Sequence, residues 1–164
     1  MNNIYLIGFM ATGKSIVGKE LAGKLGRKFA DLDELIELKE KRSIPDIFAQ
    51  NGEPYFRKVE KATLAQAAQE DELIYACGGG IVIDAENIAI MRRTGKIICL
   101  TAAPEVILRR VGDTSHRPLL NVPDPRKQIE LLLKLRQPFY GQADMTIDTS
   151  NLSVEQVVDK ILKC

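Results

Sequence analysis

The sequence lacks an excess of either charge and has few residues of the kinds that form cross-links or bind metals. Its 164 residues include 23 basic and 22 acidic side chains, three cysteines, one histidine and no tryptophan. A net charge of +1 gives no electrostatic footprint for nucleic acid or an anionic membrane, so we expect neither as a partner. The cysteines are widely spaced with no Cys-x-x-Cys pair, which argues against a zinc site or a disulfide framework.

Long apolar runs are also missing. No stretch approaches the roughly 20 apolar residues that cross a bilayer. The N-terminal residues have no basic segment ahead of a long apolar one, which argues against a secretory signal. Together with the sparse cysteines, these features predict a soluble, cytoplasmic protein. The length predicts a single domain over residues 1–164.

Short apolar runs alternate with helical patterns along the whole chain. Buried strands are predicted at 4–7, 29–30, 73–76, 96–100 and 145–147. Helices are predicted at 14–25, 33–41, 45–48, 53–69, 85–93, 104–111, 126–139 and 154–162. The alternation indicates an α/β fold, a three-layer sandwich in which helices cover both faces of a five-stranded parallel sheet. A helical insertion at about 33–61 and a polar loop at about 112–124 do not fit the simple alternation.

Residues 8–15 read Gly-Phe-Met-Ala-Thr-Gly-Lys-Ser and match the pattern G-x-x-x-x-G-K-[ST]. The glycines let backbone N–H groups curl around phosphate oxygens, and the following helix directs its positive end at the same anion. Lys14 would supply a charge to the β- and γ-phosphates, and the Ser15 hydroxyl a ligand to Mg²⁺. An incidental glycine turn is disfavoured, because a strand precedes the motif and a helix follows it. The residues expected to contact the nucleotide here are Ala11, Thr12, Gly13, Lys14, Ser15 and Ile16.

Two carboxylates follow the second predicted strand, at the sheet edge where open α/β sheets bind ligands. Asp31 and Asp33 flank Leu32, and an extended Asp-x-Asp segment projects both carboxylates on one side. One can then serve the metal and the other the substrate. The alternative is that these aspartates cap the following helix, a role that does not exclude ligand binding.

Three consecutive glycines, Gly78, Gly79 and Gly80, follow the third predicted strand at the same edge. We interpret them as permitting close backbone approach to a ligand, since packing alone does not account for three in a row. They do not form a dinucleotide fingerprint, because the G-x-G-x-x-G spacing is missing. The alternative is a flexible turn.

Four arginines outside the phosphate motif each have an ordinary explanation. Arg57 has glutamates three and four residues away and suits a surface ion pair on a helix. Arg136 lies near a helix end, where a cation is favoured by the helix dipole. Arg117 lies in the polar loop and Arg110 at the end of a helix, and both suit solvated charges. The residues alone therefore do not single out an arginine that binds a ligand. The single histidine, His116, is also best interpreted as a solvated loop residue.

Taken together, these segments resemble one family, the shikimate kinases. The matching segments are 8–15, 31–33, 43–48, 52–57, 78–80, 117–120, 136–140 and 147–149. They include Arg-Pro-Leu-Leu at 117–120 and Arg-Gln-Pro-Phe-Tyr at 136–140, and they span nearly the whole chain. The resemblance implies a P-loop NTPase-type fold with a substrate-binding insertion and a mobile lid. It also implies a monomer that uses ATP and Mg²⁺ to phosphorylate the 3-hydroxyl of shikimate.

The resemblance further implies roles at the phosphate end of the site. Lys14 and Ser15 would serve the phosphates and Mg²⁺, with Asp31 on the metal side through water. Arg117 would come from the lid and touch the transferring phosphate, and Arg110 would lie against adenine.

At the acceptor end, the same resemblance implies that Asp33 contacts the acceptor hydroxyl and is the candidate base. Arg57 and Arg136 would bind the shikimate carboxylate, a role that suits the planar fork of arginine. The backbone of Gly79, with Gly80, would meet a substrate hydroxyl. The implied catalytic set is therefore Lys14, Asp33 and Arg117.

Two residues depart from the family pattern. Leu32 occupies the middle of Asp-x-Asp, where a small polar residue is commoner, and its side chain is expected to point away from the ligands. Cys77 precedes the glycines where a hydroxyl residue is common, which would alter a contact near the metal.

Three alternative functions remain at this stage. A small kinase for gluconate or a nucleoside monophosphate would need a different acceptor pocket. A GTP switch lacks support, since no Asn-Lys-x-Asp motif is present. A non-catalytic binding module would be expected to have lost Lys14, Asp33 or Arg117, and all three are present.

Overall fold

The computed structural model describes residues 2–164 and contains one five-stranded parallel sheet in the order β2-β3-β1-β4-β5. The strands are β1 Asn3–Ile7, β2 Lys28–Asp31, β3 Leu73–Ala76, β4 Gly95–Thr101 and β5 Met145–Asp148. The helices are α1 Lys14–Leu25, α2 Leu32–Glu40, α3 Ile44–Ala67, α4 Ala85–Thr94, α5 Pro104–Val111, α6 Pro125–Tyr140 and α7 Val154–Leu162, with a 3₁₀ turn at Ile81–Ile83. The predicted α/β fold is confirmed. Within the described chain, no helix is both long and apolar enough to cross a membrane.

Both faces of the sheet are buried, as parallel strands require. Alternate residues of β1 point to opposite faces: Leu6 packs into a cluster with α1 and α7, whereas Tyr5 and Ile7 pack into a larger cluster on the other face. Tyr5 also stacks on Tyr75 of β3, with ring centroids 5.3 Å apart. The two clusters hold the sheet rigid, so that the loops at the carboxyl ends of the strands have fixed starting points.

Helix α1 has the predicted bounds, but only some of its apolar residues face the core. Val17 and Leu21 are buried, whereas Ile16 is 58% exposed in the first turn, at the mouth of the phosphate motif. Gly18 faces Phe29, whose ring would lie 2.5 Å from an added Cβ, so the helix packs closely on β2. Gly26 ends the helix in the left-handed conformation.

The predicted insertion consists of α2 and α3, which pack on each other around a small core of Ile36, Ile47 and Phe56. Helix α3 is interrupted at Gly52, where φ is 80° and ψ is 174°, so the two shorter helices predicted for this segment correspond to its two parts. Residues 112–124 contain no helix or strand, in line with the predicted loop.

Helix α6 differs from its prediction at its C-terminus. It continues past Pro138 to Tyr140 and closes when the Gly141 N–H donates to the Gln137 carbonyl at 3.0 Å. A proline inside a helix commonly ends or kinks it, but only the last turn lies beyond Pro138, where few intrahelical bonds are lost. The extension places Tyr140 one turn beyond Arg136, on the buried face of the helix.

Candidate active site

The phosphate motif forms a tight loop between β1 and α1. Gly8, Ala11 and Gly13 have φ of 136°, 60° and 97°, and a Cβ on Gly8 would lie 2.1 Å from the Leu100 carbonyl oxygen. Lys14 Nζ donates to the carbonyl oxygens of Gly8 and Phe9, each at 2.8 Å. Burial lowers the pKa of Lys14 to about 8, against the opposing effect of the Asp33 carboxylate. The ammonium thus folds over the loop, where anionic phosphate oxygens would be better partners than neutral carbonyls.

Asp31 faces this loop. Its Oδ2 accepts a 2.7 Å hydrogen bond from Ser15 Oγ, and its Oδ1 accepts the backbone N–H of Asp33 at 2.9 Å. Asp31 is therefore the N-cap of α2 and also a carboxylate beside the Ser15 hydroxyl. The capping interpretation is confirmed for Asp31, and its role at the metal stays a prediction. The extended Asp-x-Asp geometry is wrong because Asp33 lies in the first turn of α2.

The oxygen atoms at this position suit Mg²⁺, which prefers carboxylate, hydroxyl and phosphate oxygens and keeps several waters. Ser15 Oγ and Asp31 Oδ2 lie together on a cavity of about 370 Å³ that Lys14 and Asp33 also line. No group of three or more histidine, cysteine or acidic side chains able to hold a metal by themselves occurs in residues 2–164. The residues present fit a Mg²⁺ ion that is held jointly with nucleotide phosphates.

A second carboxylate lies beside Asp33, and the sequence pattern indicated it only as a partner of an arginine. Glu60 of α3 is 1% exposed, and its Oε1 accepts from Arg57 Nη1 at 2.9 Å. Burial raises the pKa of Glu60 to about 7 and that of Asp33 to about 6, in each case more than nearby cations lower it. Glu60 Oε2 and Asp33 Oδ1 have no hydrogen-bond partner in the described chain. Both oxygens face the same glycine, Gly78, since an added Cβ would lie 3.0 Å from each.

The interpretation that packing does not account for the three glycines is wrong. A Cβ on Gly80 would lie 2.3 Å from Arg57 Nη2, and one on Gly79 would lie 3.2 Å from Arg136 Nη1. None of the three has the positive φ that a flexible glycine turn would use. These residues are small because charged side chains from α2, α3 and α6 converge on their α-carbons.

Arg57 makes the predicted ion pair on α3, but only part of that pair is a surface contact. Nη2 lies 3.2 Å from Glu53 Oε1, which is exposed, and Nη1 bonds the buried Glu60. The guanidinium is thereby held at the wall of the cleft by two carboxylates on its own helix. The ordinary explanation and the binding role are compatible, since the same contacts orient the side chain.

Arg136 is the most unusual residue of the site. It is 4% exposed, and no carboxylate of residues 2–164 lies within salt-bridge distance of it. Its guanidinium lies over the ring of Phe9, 5.7 Å from the centroid. A buried cation without a paired anion is costly, so this position suits an anionic ligand. Its place near a helix end, which suggested a dipole-favoured surface charge, gave no sign of this burial.

The charged residues surround a cleft of about 630 Å³, which is large enough for a small hydroxylated acid. Asp33, Arg57 and Arg136 line it, and its apolar wall comes from Ile44, Pro45, Phe48, Phe56, Pro118 and Leu119. The cavity at the phosphate loop adjoins this cleft, and Asp33, Gly79 and Arg117 line both. A phosphate donor and an acceptor can therefore lie side by side, with Asp33 and Arg117 at the junction.

Two arginines lie near the phosphate loop, one on the exposed loop 112–124 and one on α5. Arg117 belongs to the exposed loop 112–124, which also carries His116. Arg110 Nη1 donates to the Ala11 carbonyl at 3.2 Å, and Nη2 to the Thr149 carbonyl at 3.0 Å. Arg110 thus links the phosphate loop to the residue that follows β5 through hydrogen bonds.

The remaining residues predicted on the loop have structural contacts of their own. Thr12 is buried and its Oγ1 donates to the Phe9 carbonyl at 2.7 Å, while its own carbonyl accepts from Thr149 Oγ1 at 2.9 Å. Ile16 and Gly13 line the phosphate cavity. Leu32 points into the core, as expected, and Cys77 is buried on the cavity wall.

Comparison with known proteins gives a consistent result. The family model for shikimate kinase matches residues 10–164. The shikimate kinase of Thermoanaerobacter pseudethanolicus is 45% identical over 163 residues, covering 99% of this chain and 95% of that protein. That of Caldanaerobacter subterraneus subsp. tengcongensis is 47% identical with the same coverage. Among solved structures, shikimate kinase from Acinetobacter baumannii in complex with shikimate has a TM-score of 0.96 at 38% identity, covering 99% of this chain and 92% of that one.

Proposed function

Because the chain belongs to the shikimate kinase family, we propose that the cleft binds shikimate beside ATP and that its residues share the phosphoryl transfer between them. The reaction moves the γ-phosphoryl group of ATP onto the 3-hydroxyl of shikimate and yields shikimate 3-phosphate and ADP. The observation that carries the assignment to this cleft is Arg136, a buried cation without a carboxylate partner that lies next to the phosphate loop. Shikimate brings the missing anion as its ring carboxylate.

Arg136 and Arg57 bind the shikimate carboxylate. Their planar guanidinium groups match a carboxylate with paired hydrogen bonds, and the low dielectric of the buried site strengthens those bonds. The backbone of Gly79 and Gly80, which lies beside the two guanidinium groups, contacts a ring hydroxyl. The apolar wall that includes Phe48 packs against the ring carbons.

At the nucleotide end, the phosphate loop and Lys14 hold the β- and γ-phosphates. Lys14 moves its donors from the carbonyls of Gly8 and Phe9 to phosphate oxygens. Ser15 and Asp31 would hold Mg²⁺, which would neutralise charge on the phosphates. Arg110 already clips Ala11 of the loop and lies on the side where adenine would extend.

The transfer itself needs positioning and charge neutralisation more than covalent chemistry. Asp33 orients the acceptor hydroxyl and accepts its proton as the new O–P bond forms. Burial raises the pKa of Asp33 to about 6, so the carboxylate remains mostly ionised above pH 7 and is a better base than an exposed aspartate. Arg117 reaches the transferring phosphoryl group from the lid, and closure of that lid excludes water.

The test is ADP release from ATP and Mg²⁺ with and without shikimate, beside quinate, gluconate and AMP. Strong stimulation by shikimate alone is expected. Stimulation by gluconate or AMP instead would transfer the assignment to another small kinase. No stimulation by any acceptor, from folded protein that binds ATP, would indicate a non-catalytic binding module.

We further propose that the chain acts as a monomer in the cytoplasm. The residues proposed for acceptor binding and phosphoryl transfer come from one chain and line adjoining cavities, so no second subunit is needed to complete that part of the site. ATP, the phosphoryl donor, is abundant in the cytoplasm. Light scattering after gel filtration would report the mass, and a dimer at working concentration would contradict the monomer.

A further inference from the structure

Tyr140 makes a short hydrogen bond to the glycine segment that the proposed mechanism does not use. It is the last residue of α6 and is 7% exposed. Its Oη donates to the Gly79 carbonyl oxygen at 2.6 Å, linking the end of α6 to the loop after β3. Burial raises the pKa of Tyr140 to about 12, although Arg136 opposes the effect, so the hydroxyl keeps its proton and remains a donor.

The bond fixes more than one atom, because a peptide unit is planar. The peptide bonds of the described chain are all trans, so the Gly79 carbonyl and the Gly80 N–H point in opposite directions from the same plane. Tyr140 holds the carbonyl on one side, and the Gly80 N–H must therefore point away from Tyr140. Gly80 lines the cleft.

The Gly80 N–H has no acceptor of its own within residues 2–164. The neighbouring amides are paired otherwise: the Ile81 N–H donates to the Gly78 carbonyl at 3.2 Å, and the Ile83 N–H donates to the Gly80 carbonyl at 3.2 Å. Gly80 is a buried residue, and buried backbone donors without a partner are rare. An oriented, unpaired N–H in a substrate cleft is suited to a hydroxyl oxygen of the acceptor.

Tyr140 also lies one helical turn beyond Arg136, so the two side chains share a face of α6. Arg136 Nη1 lies close to Gly79 as well, 3.2 Å from the point where a Cβ would stand. The hydroxyl, the guanidinium and the glycine peptide therefore form one contact group. A phenylalanine in place of Tyr140 would keep the packing and remove the hydroxyl, with its hydrogen bond to Gly79 and its interaction with Arg136.

We propose that Tyr140 is a positioning residue of the acceptor site, which sets the orientation of the Gly79–Gly80 peptide so that the Gly80 N–H meets a shikimate hydroxyl. This inference rests on the proposed function. It assigns to the tyrosine hydroxyl an effect on acceptor affinity, without a direct contact to shikimate and without an effect on the nucleotide.

The test compares Tyr140→Phe with Tyr75→Phe in the full chain. Tyr75 is a matched control, since its hydroxyl donates to the Ala67 carbonyl at 2.7 Å in the core, away from the cleft. For Tyr140→Phe we expect the KM for shikimate to rise roughly tenfold, the effect of losing one buried hydrogen bond, with kcat and the KM for ATP within about twofold of wild type. Tyr75→Phe is expected to lower the melting temperature and leave both KM values unchanged.

Several results would overturn the inference. A wild-type KM for shikimate in Tyr140→Phe, measured where wild type shows shikimate-dependent ADP release, rejects the role of Tyr140 and leaves the proposed function intact. Equal changes in the KM for shikimate and in melting temperature for the two tyrosine variants would show that the Tyr140 hydroxyl has only a structural role. A third arm uses shikimate analogues that lack the 4- or 5-hydroxyl. The Tyr140→Phe penalty is expected to vanish for one of them, and the same penalty for both analogues and for shikimate contradicts the inference.

Discussion

Gly80→Ala is the most direct test of the arrangement around Arg57. The backbone of Gly80 has φ of −97° and ψ of 2°, a sparsely populated conformation that is still open to alanine, so the effect comes mainly from the added methyl group. That methyl would lie 2.3 Å from Arg57 Nη2 and 2.6 Å from Cζ, well inside van der Waals contact. The guanidinium must move by about 1 Å or more to restore a carbon–nitrogen contact near 3.5 Å.

The steric cost is small because the guanidinium is the end of a flexible side chain. The main cost is the loss of the hydrogen bond between Arg57 and Glu60. Arg57 Nη1 bonds Glu60 at 2.9 Å, and Glu60 is buried with a second oxygen already unpaired. Losing a hydrogen bond to a charged partner costs about 1.5–3 kcal/mol. If the displaced Arg57 also loses the shikimate carboxylate, the KM for shikimate should rise about 10- to 100-fold.

The assay is steady-state ADP release over a range of shikimate at saturating ATP, together with thermal melting. Gly23→Ala is the matched control, since Gly23 lies in α1 with no heavy atom within 4 Å of the position of its Cβ, and alanine favours the helix. We expect the control to keep the wild-type KM and to melt slightly higher. A wild-type KM for shikimate in Gly80→Ala would refute the proposed role of Arg57 or the crowding at Gly80.

Three further changes probe the charges of the cleft. Arg136→Met should raise the KM for shikimate at least about 100-fold. Arg126→Met, on the same helix but in exposed ion pairs, should leave that KM unchanged. Similar KM changes in the two variants would contradict a specific role for Arg136. Burial raises the folded-state pKa of Glu60 to about 7 from an ordinary 4.5, so its contribution to stability is present below pH 4.5 and is lost as pH rises through 7. Glu60→Gln should therefore reduce the fall in melting temperature between pH 5 and pH 8, and an unchanged slope would contradict the shift. Phe9→Leu should lower the free energy of unfolding by about 1–2 kcal/mol and raise the KM for shikimate several-fold through the lost contact with Arg136, and a change in stability alone would contradict that link.

Local patterns predicted most of the fold. Strands such as β3 are short apolar runs ended by glycine, and parallel sheets bury such strands on both faces, so their positions and parallel pairing follow from the alternation with helices. The errors arose where a local rule met a tertiary contact. A proline commonly ends or kinks a helix, but α6 continues past Pro138 to Tyr140, which is buried and donates a hydrogen bond to Gly79.

The nucleotide end of the site could also be predicted from local sequence, since Lys14 and Ser15 belong to one contiguous motif between a strand and a helix. The acceptor end was not. Glu60 was visible only as a partner of Arg57, and its burial depends on the glycine segment after β3. The three glycines were interpreted as room for a ligand or as a flexible turn, because the side chains that crowd them come from α2, α3 and α6. Residues whose environment is built by distant elements carry no signal in a single sequence.

The groups that the sequence could not identify have one physical property in common. Asp33 Oδ1 and Glu60 Oε2 are buried acceptors without a donor, and Arg136 is a buried cation without a carboxylate. Each costs folding free energy in the free protein, and such costs concentrate at binding sites. An anionic ligand, such as one that carries a carboxylate, supplies the charge that Arg136 lacks. The two carboxylate oxygens are buried in the free protein, so a donor on a ligand would reach them only after Asp33 or Glu60 moves.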